Sequence, residues 1–116
     1  MIQYESDGVT VLEPTQDLHE GPECDQMEEA LAGLAEGGAQ VVIDVAHVQH
    51  ISAHCLGILA HAHQIASRHG GCIVLCGPMR MESWLLTKTG LADVISVHDD
   101  VTSAKGWLAT LRPAVA

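Results

Sequence analysis

The sequence predicts an α/β domain built on a mixed, mostly parallel β-sheet of about four strands with about four helices. Three observations predict it. Gln40-Val41-Val42-Ile43-Asp44-Val45-Ala46 and Cys72-Ile73-Val74-Leu75-Cys76 are short, nearly continuous apolar runs, the pattern of strands covered on both faces. Segments of helical spacing lie before and after each run. The links between them are short and carry Gly or Pro, so strand and helix alternate along the chain.

Taken in order, Gly8-Val9-Thr10-Val11-Leu12-Glu13-Pro14 alternates loosely and then meets proline, which predicts a first strand at a sheet edge. From Gly21-Pro22, the positions Cys24, Met27, Ala30, Leu31 and Leu34 fall at helical spacing. Glu23, Asp25, Glu28 and Glu29 sit near the start, where the helix dipole favours acids, and Gly37-Gly38 is the stop. A second helix is predicted over Ala53–His69, capped by Ser52 and ended by Gly70-Gly71. After the strand Cys72–Cys76 come a Gly77-Pro78 break, a helix near Met79–Thr89 stopped by Gly90, and a strand over Val94–Val97. A last helix runs from Asp99 or Asp100 to about Leu111, weakened by Gly106.

The chain has 116 residues, a common size for one domain, and no run approaches the length of a membrane span. Its N-terminus shows neither a secretory signal nor a lipidation motif, so a cytoplasmic location is expected, without membrane insertion. Cys24, Cys55, Cys72 and Cys76 form no CxxC and no zinc spacing, and read as small core hydrophobes in a reducing compartment. Ten of the fifteen acids lie in residues 1–36, which hold no Lys or Arg, and the net charge is −10. That field repels phosphate backbones and anionic lipid, and with 3% aromatics there is no platform for stacking bases, so nucleic acid is excluded as a partner. A basic protein partner would be drawn to it; a solvated acidic face is the plainer reading.

The stretch Val41-Val42-Ile43-Asp44-Val45-Ala46-His47-Val48-Gln49-His50-Ile51-Ser52-Ala53-His54-Cys55-Leu56-Gly57-Ile58-Leu59 resembles the signature of the STAS domain, the fold of bacterial anti-sigma-factor antagonists. That family runs V-I-D-L-S-x-V-x-x-I into D-S-S-G-L-G-V-L. The later Gly71-Cys72-Ile73-Val74-Leu75-Cys76 and Thr89-Gly90-Leu91-Ala92-Asp93-Val94-Ile95 resemble its G-G-x-L-x-L strand and T-G-L-x-x-x-I turn, in order and spacing. The resemblance implies a single STAS-type domain over residues 1–116. It implies a regulator, not an enzyme, that docks on a kinase-like anti-sigma factor or another signalling protein until phosphorylation of the second serine of D-S-S-G breaks the complex. Here Ser52-Ala53-His54-Cys55 replaces that motif while Leu56 and Gly57 hold, so the switch is expected to be altered or lost. STAS-like domains also serve as small cytoplasmic subunits of ABC-type lipid transporters, docking on the ATPase, which is the alternative. Self-association as a dimer is compatible with either.

Ser52 is both a natural N-cap and the hydroxyl nearest the missing acceptor. His54 stands at the acceptor position, where it would carry a labile phosphate, supply a pH-dependent charge, or simply face solvent. Six of the eight histidines lie between His47 and His69, which raises a metal site. Helical geometry opposes it: His54 and His61 share a face but stand about two turns, ~10 Å, apart, and His63 points the other way. No metal or cofactor is expected. The same projection gives Cys55, Leu56, Leu59, His63 and Ala66 one face, the expected core, with His63 at its rim. His54, Ile58, His61, Ile65 and Arg68 share the other, and isoleucines ringed by polar residues there mark a protein contact, unless a neighbouring helix covers Ile58 and Ile65. Ser52, His54, Gly57, Ile58, His61 and Ile65 are therefore the candidate partner-binding residues. No phosphate loop, GxSxG or HExxH is present, so no catalytic residue is assigned. Asp44 is expected to bond loop amides at its strand's C-terminal end.

Overall fold

Asp7 and Gly8 both take positive φ, 54° and 79°. Asp-Gly suits that conformation, which a two-residue hairpin turn requires. The turn pairs β1 (Ile2–Ser6) antiparallel with β2 (Val9–Glu13), Ser6 opposite Val9 and Ile2 opposite Glu13. The computed structural model describes residues 1–18, 21–77 and 95–111. In it β3 (Gln40–Asp44), β4 (Cys72–Cys76) and β5 (Val97–His98) join in the order β1-β2-β3-β4-β5, and every pair beyond the hairpin is parallel.

The predicted α/β class with a mixed, mostly parallel sheet is therefore observed, with different counts. Among the described residues the sheet has five strands, because the N-terminal hairpin adds β1. That strand also displaces β2 from the edge: β2 lies between β1 and β3, and Val9 to Leu12 are all buried. Three helices are described: α1 (Pro22–Glu36), α2 (Ala53–Arg68) and α3 (Val101–Leu111). The helix expected near Met79–Thr89, and Val94 of the last strand, lie outside the described residues. What is seen of that strand sits later, at Val97–His98, with Ser96 O accepting from Leu75 N at 3.0 Å.

Alternation of side chains along the strands divides the core. Leu12, Val41, Ile43, Ile73 and Leu75 face α1 and α2. Val9, Val11, Val42, Val74 and Cys76 face the other way, onto Ala104 and Leu108 of α3. The crossovers β2-α1-β3 and β3-α2-β4 step the same way across the sheet, so a shared hand places both helices on one face, in contact.

The α1–β3 and α2–β4 links cross at backbone contact. A Cβ on Gly71 would collide with the backbone of Gly38 and Ala39, and one on Gly38 with His69 O. Gly38 also has φ 68°, a value that glycine adopts without strain. This crossing fixes where α2 leaves the sheet, and hence how α2 lies against α1.

His63 completes β4. Leu75 N reaches Ser96 beside β5, but Ile73 N, two residues earlier on the same side, lies before the β4–β5 pairing begins. Its N–H donates instead to His63 Nδ1 at 3.2 Å. Burial holds the His63 pKa below 6.5, and a proton on Nδ1 would cost the bond from Ile73 N. The unfolded chain therefore takes up this proton first, so the stability from neutral His63 is complete above pH 6.5 and is lost as pH falls through 6.5 toward the folded value. Urea melts across that window are expected to show a slope that His63→Gln removes.

Candidate partner-docking site

The start of α2 is held from two sides. Ser52 has φ −74° and ψ 157°, and its Oγ accepts from Cys55 N at 3.2 Å. This is N-cap geometry, and it satisfies one of the helix's unpaired N–H groups. The loop before it is clamped by the segment that precedes α1. Asp17 Oδ1 accepts from Gln49 N at 2.8 Å and His50 N at 3.3 Å. Leu18 N donates to His50 O at 2.9 Å, and Ser52 N donates to Leu18 O at 2.8 Å. Ser52→Ala is expected to cost about 1 kcal/mol in a urea melt, through the lost cap.

One turn into each helix, Cys24 of α1 and Cys55 of α2 meet with their Sγ atoms 2.6 Å apart. All four cysteines are buried and none forms a disulfide. Burial first, then the Cys55 contact and the acids Asp25 and Glu28, push the Cys24 thiol up to about 12, which leaves it protonated and a poor nucleophile. The pair packs the two helix starts together. Cys55→Gly, which restores the residue of the resembled motif, is expected to lose about 2 kcal/mol from burial and helix propensity together.

Beyond this seam the helices part into a groove of about 570 Å³. Its floor is Leu31 and Ala35 of α1 with Ile58, Ala62 and Ile65 of α2. Glu28 and Glu36 stand on the α1 side, and His54 and His61 on the α2 side, all four exposed. Ala32, Ala53 and Gly57 keep the surface low between them, and a Cβ at Gly57 would meet nothing within 4 Å.

The expected core face of α2 is buried at Cys55, Leu56, Leu59 and Ala66, with His63 half-buried at its edge. Of the candidate partner-binding residues, His54, Gly57, Ile58, His61 and Ile65 all line the groove, and Ser52 heads it. Ile58 and Ile65 are half-buried, because α1 covers their inner sides while their outer sides remain in the groove. Arg68, expected on that face, is exposed and outside the lining. The contribution of α1 was not visible in the sequence, where Glu28 reads only as a helix-start acid and Ala32 and Glu36 carry no signal.

Asp44 Oδ1 accepts from Ala46 N at 3.0 Å, the loop-amide bond expected of it. Among the described residues no group of three or more His, Cys, Asp or Glu is arranged to hold a metal ion. No described helix is long and apolar enough to cross a membrane.

The sheet order, the helix pair on one face and the capped start of α2 define a small α/β domain that presents a helix N-terminus beside an apolar groove. The chain belongs to the STAS domain family, whose model matches residues 2–104. Its fold is shared with a candidate anti-sigma factor antagonist from Thermotoga maritima, at 19% identity and TM-score 0.83 over 93% of both chains. An anti-sigma factor antagonist from Mycobacterium paratuberculosis aligns at 17% identity and TM-score 0.79, over 93% of this chain and 92% of that one. A sulfate transporter family protein from Wolinella succinogenes aligns at 17% identity and TM-score 0.68, over 91% and 88%. No curated protein matches the sequence.

Proposed function

We propose that this chain is a STAS-domain regulator of the anti-sigma-factor-antagonist kind. It works in the cytoplasm as one domain and without turnover, docking a kinase-like anti-sigma factor or a related signalling protein through the start of α2 and the groove beside it. One observation carries this reading. Where the family signature places its docking helix, the Ser52-capped start opens onto an apolar groove kept low by Gly57.

The phosphorylation switch is altered or lost. His54 stands at the acceptor position, and the nearest hydroxyl, Ser52, already caps Cys55 N. A phosphate on Ser52 would have to replace that cap. Mass spectrometry of protein purified from its native cells is expected to find Ser52 unmodified, and phosphate there would mean that the switch has moved.

Docking is tested by affinity capture from native extract with the unaltered chain, Gly57→Trp and Gly106→Trp. Gly106 also has open space at its Cβ, but it lies on α3, across the sheet. A signalling protein retained by the unaltered chain and Gly106→Trp, and lost with Gly57→Trp, is the expected result. Equal retention by Gly57→Trp contradicts the reading. Retention of a transporter ATPase or permease would select the lipid-transporter subunit instead.

A further inference from the structure

We infer that the α1–α2 groove receives an amphipathic helix of the partner whose apolar stripe is flanked by Lys and Arg. This rests on the docking reading above and specifies the segment that docks.

Shape gives the first half of the argument. Ile58 and Ile65 are half-buried and seven residues apart on one helix, so they form a seam that a third helix can follow with anchors spaced i, i+3 or i+4, and i+7. Ala32 and Gly57, on opposite sides, have too little side chain to hold such a helix off. From Ala53 to Ile65 the lining extends about 18 Å along α2, room for about three turns.

Charge gives the second half. The only Lys and Arg residues are Arg68, Arg80, Lys88, Lys105 and Arg112, so no Lys or Arg side chain precedes Arg68, and the Met1 ammonium ahead of α1 pairs with Glu23 at 3.6 Å. Glu28 and Glu36 rise from the α1 side and no Lys or Arg lines the groove, so every permanent charge in its lining is negative. Asp25 and Glu29, both exposed on α1, extend that field. An apolar floor beside an acidic wall favours an apolar stripe with basic flanks and repels one with acidic flanks.

The test uses two fluorescent synthetic helical peptides of about 18 residues with the same leucine stripe, one flanked by lysines and one by glutamates. By fluorescence anisotropy at low salt, the lysine peptide is expected to bind and the glutamate peptide not. Glu28→Lys/Glu36→Lys, which changes two exposed side chains, should weaken the lysine peptide about tenfold, and Gly57→Trp should abolish its binding. Far-UV spectra establish that both variants are folded. No binding of the lysine peptide, equal binding of both peptides, or indifference to either variant overturns the inference. If the native partner is lost with Gly57→Trp but indifferent to Glu28→Lys/Glu36→Lys, the docking reading stands and the basic helix is wrong.

Discussion

Gly71→Ala is expected to cost about 3 kcal/mol and to lower the melting temperature by about 10–15 °C. The added methyl would meet backbone atoms of Gly38 and Ala39, which cannot rotate aside as a side-chain tip can. The two links must separate, and the β3–β4 ladder begins immediately beyond them, at Gln40 opposite Cys72. Gly57→Ala provides the contrast. It fills open space on an exposed helical position and should stabilise the domain by about 0.5–1 kcal/mol. Denaturant midpoints should move in opposite directions for the two variants, with unchanged m-values. A neutral Gly71→Ala would mean that the links do not cross as described.

Gly57→Trp is expected to weaken the docked partner at least about a hundredfold, roughly 2.7 kcal/mol, with little loss of stability. The indole would lie across the groove between Ile58 and Ala53, over the seam where the proposed partner helix packs. Gly106→Trp makes the same chemical change on α3 and should leave the affinity unaltered. Titration calorimetry with the captured partner reads both. Equal losses for the two variants would point to general disturbance rather than a blocked surface.

The parallel core was legible in the sequence because β3 and β4 are covered on both faces and are therefore continuously apolar, as Val41 to Ile43 and Cys72 to Cys76 are. The hairpin was written there too, in Asp7-Gly8, yet β1 carries no burial pattern. It lies at the sheet edge, and Ile2 to Glu5 are exposed on both faces, so hydrophobic periodicity is silent and only the turn signals a strand. For α2, helical projection found the buried face and the capping Ser52, which are local properties of one segment. It did not find that α1 would be the second wall of the groove. That depends on the shared hand of two crossovers and on the Gly38–Gly71 crossing, and neither leaves a periodic trace. The Cys24–Cys55 contact and the Asp17 clamp on Gln49 and His50 join residues about thirty positions apart and likewise have no local signal.

The start of α2 thus combines two layers. Leu56 and Gly57 match the family signature, whereas His54 and Cys55 stand where it has its acceptor serine and the glycine after it. In the proposed reading, docking would depend on the first layer and phosphate control on the second, so one could persist without the other.

Backbone amide chemical shifts of the isotopically labelled chain, followed as the captured partner is added, test the docking site most directly. The predicted result is a continuous patch of change over residues 28–36 of α1 and 52–65 of α2, with α3 and the β1 edge unmoved. Changes confined to α3 or to β1, with the groove silent, would contradict it.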